Sequence, residues 1–282
     1  MVLLMCHKRG DGGRSRFPRF FKVFAVPDAA IDAIYRYPVK GLSPEPMDEI
    51  ALTPGKPIPF DRAWAIENGP SGFDPDAPEK LPKVKFLMLM KNERLAALRT
   101  GFDEATGELT ILRHGKRVAG GRLDDPLGRQ LVEQFFSAYM APELRGAPRI
   151  LSAPGHTFSD VGRPVVSLIN LASVRDLERI AGRPVHPLRF RANVYFDGWE
   201  PWSEFDRIGA ELAVGDEVVL RVVRRIVRCA ATNVDPDTAE RDMQIPRLLD
   251  RTFGHSDLGV YAEIVRGGAM RRGDRIAGNP SA

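Results

Sequence analysis

The feature that most limits what this chain can fold into is its punctuation. From Ala30 onward, short runs of alternating apolar and polar residues are stopped repeatedly by glycine or proline, of which the 282 residues hold 26 and 23. Alternation at period two places every second side chain on one face of an extended strand, whereas an amphipathic helix needs a period of 3.6. Proline lacks the amide hydrogen that an interior ladder uses, and glycine takes up turn conformations, so both end strands. In residues 31–39 (IDAIYRYPV) the alternation puts Ala33, Tyr35 and Tyr37 on one face and stops at Pro38. Residues 49–53, 62–67, 95–100, 109–115, 165–169, 192–196, 217–227 and 261–266 read as further strands, and KFLMLM (85–90) as a compact apolar run. Gly215-Asp216 and Gly273-Asp274 suit tight connections.

Two helices interrupt this pattern. One is expected after Asp124 or Asp125 as cap and Pro126 in the first turn, with Leu127, Leu131, Phe135 and Tyr139 recurring on one face. The other spans 170–181, with Leu171, Val174, Leu177 and Ile180 together and Gly182 as its stop. Many strands with few helices and no strand–helix alternation predict an α+β protein that is predominantly β. The expected divisions are a basic extension (1–27), a small antiparallel β module (28–115), a helical connection (116–149) and a second β domain (150–282).

Charge then separates the extension from the body. The net charge is +4, yet residues 1–27 carry six basic side chains (Lys8, Arg9, Arg14, Arg16, Arg19, Lys22) against Asp11 alone. The rest holds 35 basic and 36 acidic residues, so the body has no basic surplus with which to bind nucleic acid. The extension is open to three readings: a disordered extension, a targeting segment or a nucleic-acid arm. The expected location is the cytoplasm, or the mitochondrion if the extension is a transit peptide. No apolar run approaches the roughly 18 residues of a helical membrane span.

The two cysteines, Cys6 and Cys229, cannot make a disulfide framework, a four-cysteine zinc site or a thiolate-ligated iron–sulfur cluster. GxGxxG, GxxxxGK[ST], HExxH, CxxC and GxSxG are all missing, and the five histidines are scattered. What remains is Cys229, at the end of the most β-like run, EVVLRVVRRIVRC. If that strand has no bulge, Cys229 shares a face with Val219, Val223 and Val227. A cysteine there is either a small buried hydrophobe or, because the polar turn of Asp235-Pro236-Asp237 follows, a partly exposed thiol. Arg225 and Arg228 beside it would favour a thiolate, the soft donor that a thiophilic metal takes. Lys40, Arg62, Arg189 and Arg191 could form an anion site, since guanidinium forks suit phosphate, or could simply be solvated or paired with acids.

These residues carry a family likeness. Tyr37-Pro38-Val39-Lys40-Gly41 followed by Asp61-Arg62-Ala63-Trp64 resembles the N-terminal β-barrel module that precedes MOSC domains. Phe190-Arg191-Ala192-Asn193-Val194, Arg228-Cys229, Asn233-Val234-Asp235-Pro236-Asp237-Thr238, Gly259-Val260-Tyr261-Ala262 and Gly273-Asp274 resemble the MOSC domain itself. The likeness runs in order from about residue 30 to the end, and the RC…VDPDT element is its most specific part. It departs at Gly41, where the family often has serine, and at Val161 and Gly162, where the family has hydroxyl residues.

The resemblance implies an N-terminal MOSC β-barrel module (28–115) leading by the connection to a MOSC β-barrel (150–282). It implies the molybdenum cofactor, a molybdopterin, with Cys229 as metal ligand and catalytic residue. Lys40 and Arg62 would hold the pterin phosphate, and Asp160, Arg191 and Asn193 would line the cofactor. MOSC proteins include amidoxime-reducing enzymes and the C-terminal part of molybdenum cofactor sulfurases. The first implies reduction of N-hydroxylated or N-oxide substrates with electrons from an external electron-transfer protein. The second implies a cofactor-binding or sulfur-carrier module without reductase activity, and a barrel with a vestigial site is a third reading.

Overall fold

The computed structural model describes residues 29–278; the basic extension with Cys6 lies outside the described residues. The alternating runs become β1 (Ala29–Arg36), β2 (Glu45–Met47), β3 (Glu49–Leu52), β4 (Ala65–Ile66), β5 (Leu98–Asp103), β6 (Glu108–Arg113) and β7 (Lys116–Arg122). Helix α1 (Pro126–Tyr139) and β8 (Ile150–Leu151) follow. Then come β9 (Val166–Asn170), α2 (Leu171–Ala181), β10 (Val194–Asp197), β11 (Glu211–Val214), β12 (Val218–Val227), α3 (Ile245–Phe253), β13 (Asp257–Arg266), β14 (Gly268–Arg271) and β15 (Arg275–Ala277). The protein is predominantly β, as the punctuation predicts, and none of these helices is long and apolar enough to cross a membrane.

Seven strands close into a barrel in the order β10, β9, β13, β12, β11, β15, β1, with β1 returning to β10. Closure leaves these strands no free edge. Ile31, Ile34, Val166, Leu168, Val194, Phe196, Leu212, Leu220, Val222, Val260 and Ala262 fill the interior, all at most 2% exposed. One βαβ unit departs from the expected absence of strand–helix alternation, because β10 pairs parallel to β9 and α2 makes the crossover. On the barrel's outside, α2 and α3 pack over Ile169, Tyr195 and Leu258 through Leu177, Ile245 and Leu249. A second body, β5–β7 with α1, has its own core of Leu98, Leu109, Ile111, Val132 and Phe136.

Bulges decide which side chains face inward. In β1 the register shifts between Ile31 and Ala33, so Ile31 and Ile34 both enter the barrel while Ala33 and Tyr35 pack outside. β12 has three such shifts, so the bulge-free reading of its valine face does not hold. Val227 is 70% exposed, and Cys229 shares no buried valine stripe. KFLMLM forms no strand. Its first residue closes the 3-10 turn Lys83–Lys85, and Phe86, Leu87 and Met88 are then buried, with the Leu87 amide donating to the Ile66 carbonyl.

Both helices begin and end where their caps place them. Asp125 accepts from the Gly128 amide with Pro126 at the first position, and Asn170 caps α2, which stops at left-handed Gly182. The buried face of α1, however, is shifted by one residue from the expected stripe. Gly128, Val132 and Phe136 are buried, while Leu127 and Leu131 are 64% and 49% exposed. Phe135 and Tyr139 flank the core. The reason lies at Gly128, where a Cβ would come within 2.4 Å of the Arg122 backbone nitrogen. A glycine facing glycine (Gly121) lets α1 approach β7 at backbone distance, and that contact sets the helix rotation.

This assignment makes a clear contrast in stability. Phe136→Ala should cost about 3–5 kcal/mol, whereas Leu127→Ala should stay within about 0.5 kcal/mol. Chemical denaturation of the two variants checks it, and equal costs would show that the stripe read from spacing is the buried one.

Candidate functional site

A cavity of about 270 Å³ opens on the barrel's outer face, between that face and the loops that follow β1, β3, β4 and β8. Its wall on the barrel side is a cross-strand row. Arg224 on β12 is opposite Tyr261 on β13, Tyr261 is opposite Ser167 on β9, and Asn193 lies next, just before β10. Their neighbours Val222, Ala262, Leu168 and Val194 point into the barrel, so alternation turns this row outward. Lys40, Arg62, Asp160, Arg191, Asn193 and Cys229, all singled out from the sequence, line this one cavity.

Lys40 arrives from the turn after β1, where the Lys40 amide donates to the Trp64 carbonyl. Its Nζ donates to the Phe158 carbonyl (2.8 Å) and to Asp160 Oδ1 (2.6 Å). Burial lowers the Lys40 pKa, and Asp160 opposes that shift. Burial acts the other way on Asp160, but Lys40, Lys83 and Arg62 outweigh it and hold the carboxyl at about 2. Gly41 follows with φ +86°, and a Cβ there would stand 3.0 Å from the Leu87 carbonyl oxygen. A side chain at this position would be strained in this backbone.

Arg62 and Arg191 both have positive φ, 54° and 51°. Their guanidinium carbons lie 4.5 and 4.4 Å from the centre of the Tyr37 ring. Arg62 also pairs with Asp61 and donates to the Arg191 carbonyl (2.9 Å). Arg191 has no such carboxylate, and its Nη2 is buried with no hydrogen-bond partner. Burial drives the Arg191 pKa down and raises that of Tyr37 well above the usual phenol range. Asn193 is already committed within the protein. Its Oδ1 accepts from Ser167 Oγ (2.7 Å), and its Nδ2 donates to the Tyr35 carbonyl (3.2 Å).

Cys229 is partly exposed, at the start of the 3-10 turn Ala230–Asn233, and its carbonyl accepts from Thr232 Oγ1 (2.9 Å). The motif that follows holds this turn in place. Asp235 accepts from the Asp237 and Thr238 amides and from buried Arg189 (2.6 Å), while Asn233 Oδ1 caps the Ile245 amide of α3. Arg228 is buried, donates to the Leu258 and Phe190 carbonyls, and has its pKa lowered to about 10 by desolvation. Arg225, expected beside the thiol, instead stacks on Phe205 at 4.3 Å. Lys83 takes that place, reaching both Cys229 and Asp160. No spacing rule points to Lys83, because it comes from the irregular Pro-rich stretch.

Eight lysines and arginines line the cavity against two aspartates, Asp61 and Asp160. Such a lining attracts an anion, and Cys229 offers one soft donor. Among the described residues, no group of three or more histidines, cysteines or acids could hold a metal unaided.

The lysine–aspartate contact has a defined pH signature. A carboxyl held at about 2 in the folded protein stabilises it fully above the unfolded value of about 3.9 and loses that contribution as pH falls below it. The difference in unfolding free energy between wild type and Asp160→Asn should be constant above about pH 5 and shrink between about pH 4 and pH 2. Denaturation series across that window test it, and a constant difference would deny the carboxylate any gain from the lysines.

Known proteins resemble parts of this chain. Residues 155–277 match the family model of the MOSC domain. Mitochondrial amidoxime reducing component 2 of Rattus norvegicus is 32% identical over 123 residues, which are 39% of this chain and 36% of that protein. The chain thus spans about a third of that relative's length. Among solved structures, the YUAD protein from Bacillus subtilis aligns with a TM-score of 0.44 at 13% identity, covering 90% of this chain and 97% of that one. YiiM from Geobacillus stearothermophilus aligns at 0.33 and 16%, covering 40% and 53%. The stretch that matches the MOSC domain model, residues 155–277, supplies every barrel strand except β1 and carries Cys229.

Proposed function

We propose that this protein binds the molybdenum cofactor and reduces N-hydroxylated or N-oxide compounds with electrons from a separate protein. The observation that carries the reading is the pairing of one partly exposed thiol with a cavity whose cations exceed its acids. The unpartnered Nη2 of Arg191, buried there, is a donor in want of an acceptor oxygen. The residues present therefore fit a phosphate-bearing cofactor with a thiophilic metal. The MOSC domain and the relative named for amidoxime reduction support the same choice.

In this reading Cys229 ligates the metal, and its 3-10 turn, fixed by Asp235 and Arg189, sets the direction of the sulfur. Lys40, Arg62 and Arg191 hold the phosphate, with the Tyr37 ring backing both guanidiniums. Asp160 lines the cofactor beside Lys40, and Asn193 ties the strands that frame it. When bound, the cofactor supplies two-electron oxygen-atom transfer: an N-hydroxy group takes up two electrons and two protons and leaves its oxygen as water. Cys229 is the one free cysteine among the described residues, so a thiolate-ligated electron relay cannot be assembled from them. An external electron-transfer protein fills that need.

Metal and pterin analysis of the purified protein, with an N-hydroxyamidine reduction assay driven by an artificial donor, tests the proposal. Cys229→Ala should lose molybdenum and activity together; a variant that keeps both would remove Cys229 as ligand. Lys40→Met and Arg62→Met should lower cofactor content without unfolding the barrel. Metal without reduction would instead favour a cofactor-binding or sulfur-carrier module.

A further inference from the structure

Among the described residues, Arg189 and Arg191 in the cavity lining each leave one buried guanidinium nitrogen without a hydrogen-bond partner, Nε and Nη2. Arg189 is otherwise held by Asp235 and Asp242, and Arg191 is assigned above to the phosphate. Arg224 differs from both, because it is exposed on β12 while lining the same cavity. Its guanidinium carbon lies 5.3 Å from the centre of the Tyr261 ring, and among the described residues it makes no ion pair or hydrogen bond. The nearest carboxylate along the facing strand, Glu263, is taken by Arg163 at 2.6 Å.

The position of Arg224 is imposed by the backbone. It has the same parity as Val218, Leu220 and Val222, which point into the barrel, so a regular strand would bury its charge there. The register shift between Val222 and Arg224 makes Val223 an extra residue and sets Arg224 opposite Tyr261, on the outward row. A bulge re-aims a side chain at some cost to the ladder. Here it delivers an uncompensated cation to the cavity, over an aromatic ring that holds the guanidinium plane.

We infer that Arg224 is a specificity-determining residue that receives an anionic group, a carboxylate, on the substrate. The preferred substrates are then N-oxygenated compounds that carry a carboxylate, an inference that rests on the N-reduction reading above. A guanidinium fork donates two parallel hydrogen bonds to a carboxylate, and contact with the Tyr261 ring reduces the side-chain freedom lost on binding. Because the site is exposed, the preference should weaken as salt rises.

The test uses cofactor-loaded protein and two probes, benzamidoxime and its para-carboxylate analogue. Calorimetry gives affinity, and the reduction assay gives KM and kcat. Wild type should favour the carboxylated probe, and Arg224→Gln should weaken that probe roughly threefold to tenfold in affinity and KM. Benzamidoxime should lose less affinity than its carboxylated analogue, so that the ratio between the two probes falls toward one, and Arg224→Lys should keep part of the preference. Equal affinity of wild type for the two probes overturns the inference whatever the activity. A fall in cofactor content in Arg224→Gln overturns it too, because Arg224 would then be holding the cofactor. Preferential binding without reduction of either probe would leave Arg224 its role and count against the N-reduction reading instead.

Discussion

The pairing of β1 with β10 is the contact on which both the barrel and the site depend. It closes the barrel, and it does so at the point where the chain is about to form the cavity. Beyond β1 come Tyr37 and Lys40; just before β10 come Arg191 and Asn193. The Tyr35 amide donates to the Asn193 carbonyl at 2.7 Å, and the Asn193 side chain returns a hydrogen bond to the Tyr35 carbonyl. Segments 158 residues apart are thus held edge to edge by ladder geometry, before any ligand is considered. Loops placed by such a frame can be irregular and still present side chains to one point.

Desolvation explains why the site is so heavily tied down by backbone. Arg228 and Arg189 are buried at 9% and 3% exposure, and a buried cation without partners is costly. Arg228 meets that cost with carbonyls of Leu258 and Phe190, and Arg189 with Asp235 and Asp242. Leu258 belongs to β13, Phe190 directly precedes Arg191, and the two aspartates lie in the loop that leaves Cys229. The hydrogen bonds that make the arginines tolerable therefore also fix the thiol's surroundings. Positive φ at Arg62 and Arg191 belongs to the same pattern, since non-glycine residues persist there only when their surroundings over-determine them.

The legible parts of the sequence were those in which one residue type does one physical job. Asp125, Pro126, Asn170 and Gly182 act as caps through local geometry, and each stands at the helix end that it indicates. Cys229 could be singled out because it ends the longest branched run and meets a polar turn. Lys40, Arg62 and Arg191 stood out as cations suited to an anion, whereas Asn193 and Asp160 entered only through the family likeness. What stayed hidden depends on register or on tertiary contact. A bulge adds one residue and reverses every face after it, so the fate of Val223 and Arg224 is not written in their alternation. The rotation of α1 is set by the Gly121–Gly128 approach, which no helical period expresses. Lys83 reaches the thiol only because the Pro-rich stretch folds back over the barrel.

Asp160 gains a sharper meaning from the same electrostatics. In a cavity lined by eight cations it is one of two carboxylates, and Lys40, Lys83 and the carbonyl-directed Lys80 all gather on it or its backbone. Of the three N–H donors of the Lys40 ammonium, one goes to the Phe158 carbonyl and one to Asp160, which leaves one for a phosphate seated there. The two residues that follow Asp160 do not share the load, because Val161 and Gly162 supply no hydroxyl. Asp160 is thus the carboxylate that Lys40 and Lys83 share, and under the proposed reading a bound phosphate would add a second negative charge beside it. Under that reading cavity charge, as well as shape, would set how tightly a phosphate-bearing ligand is retained.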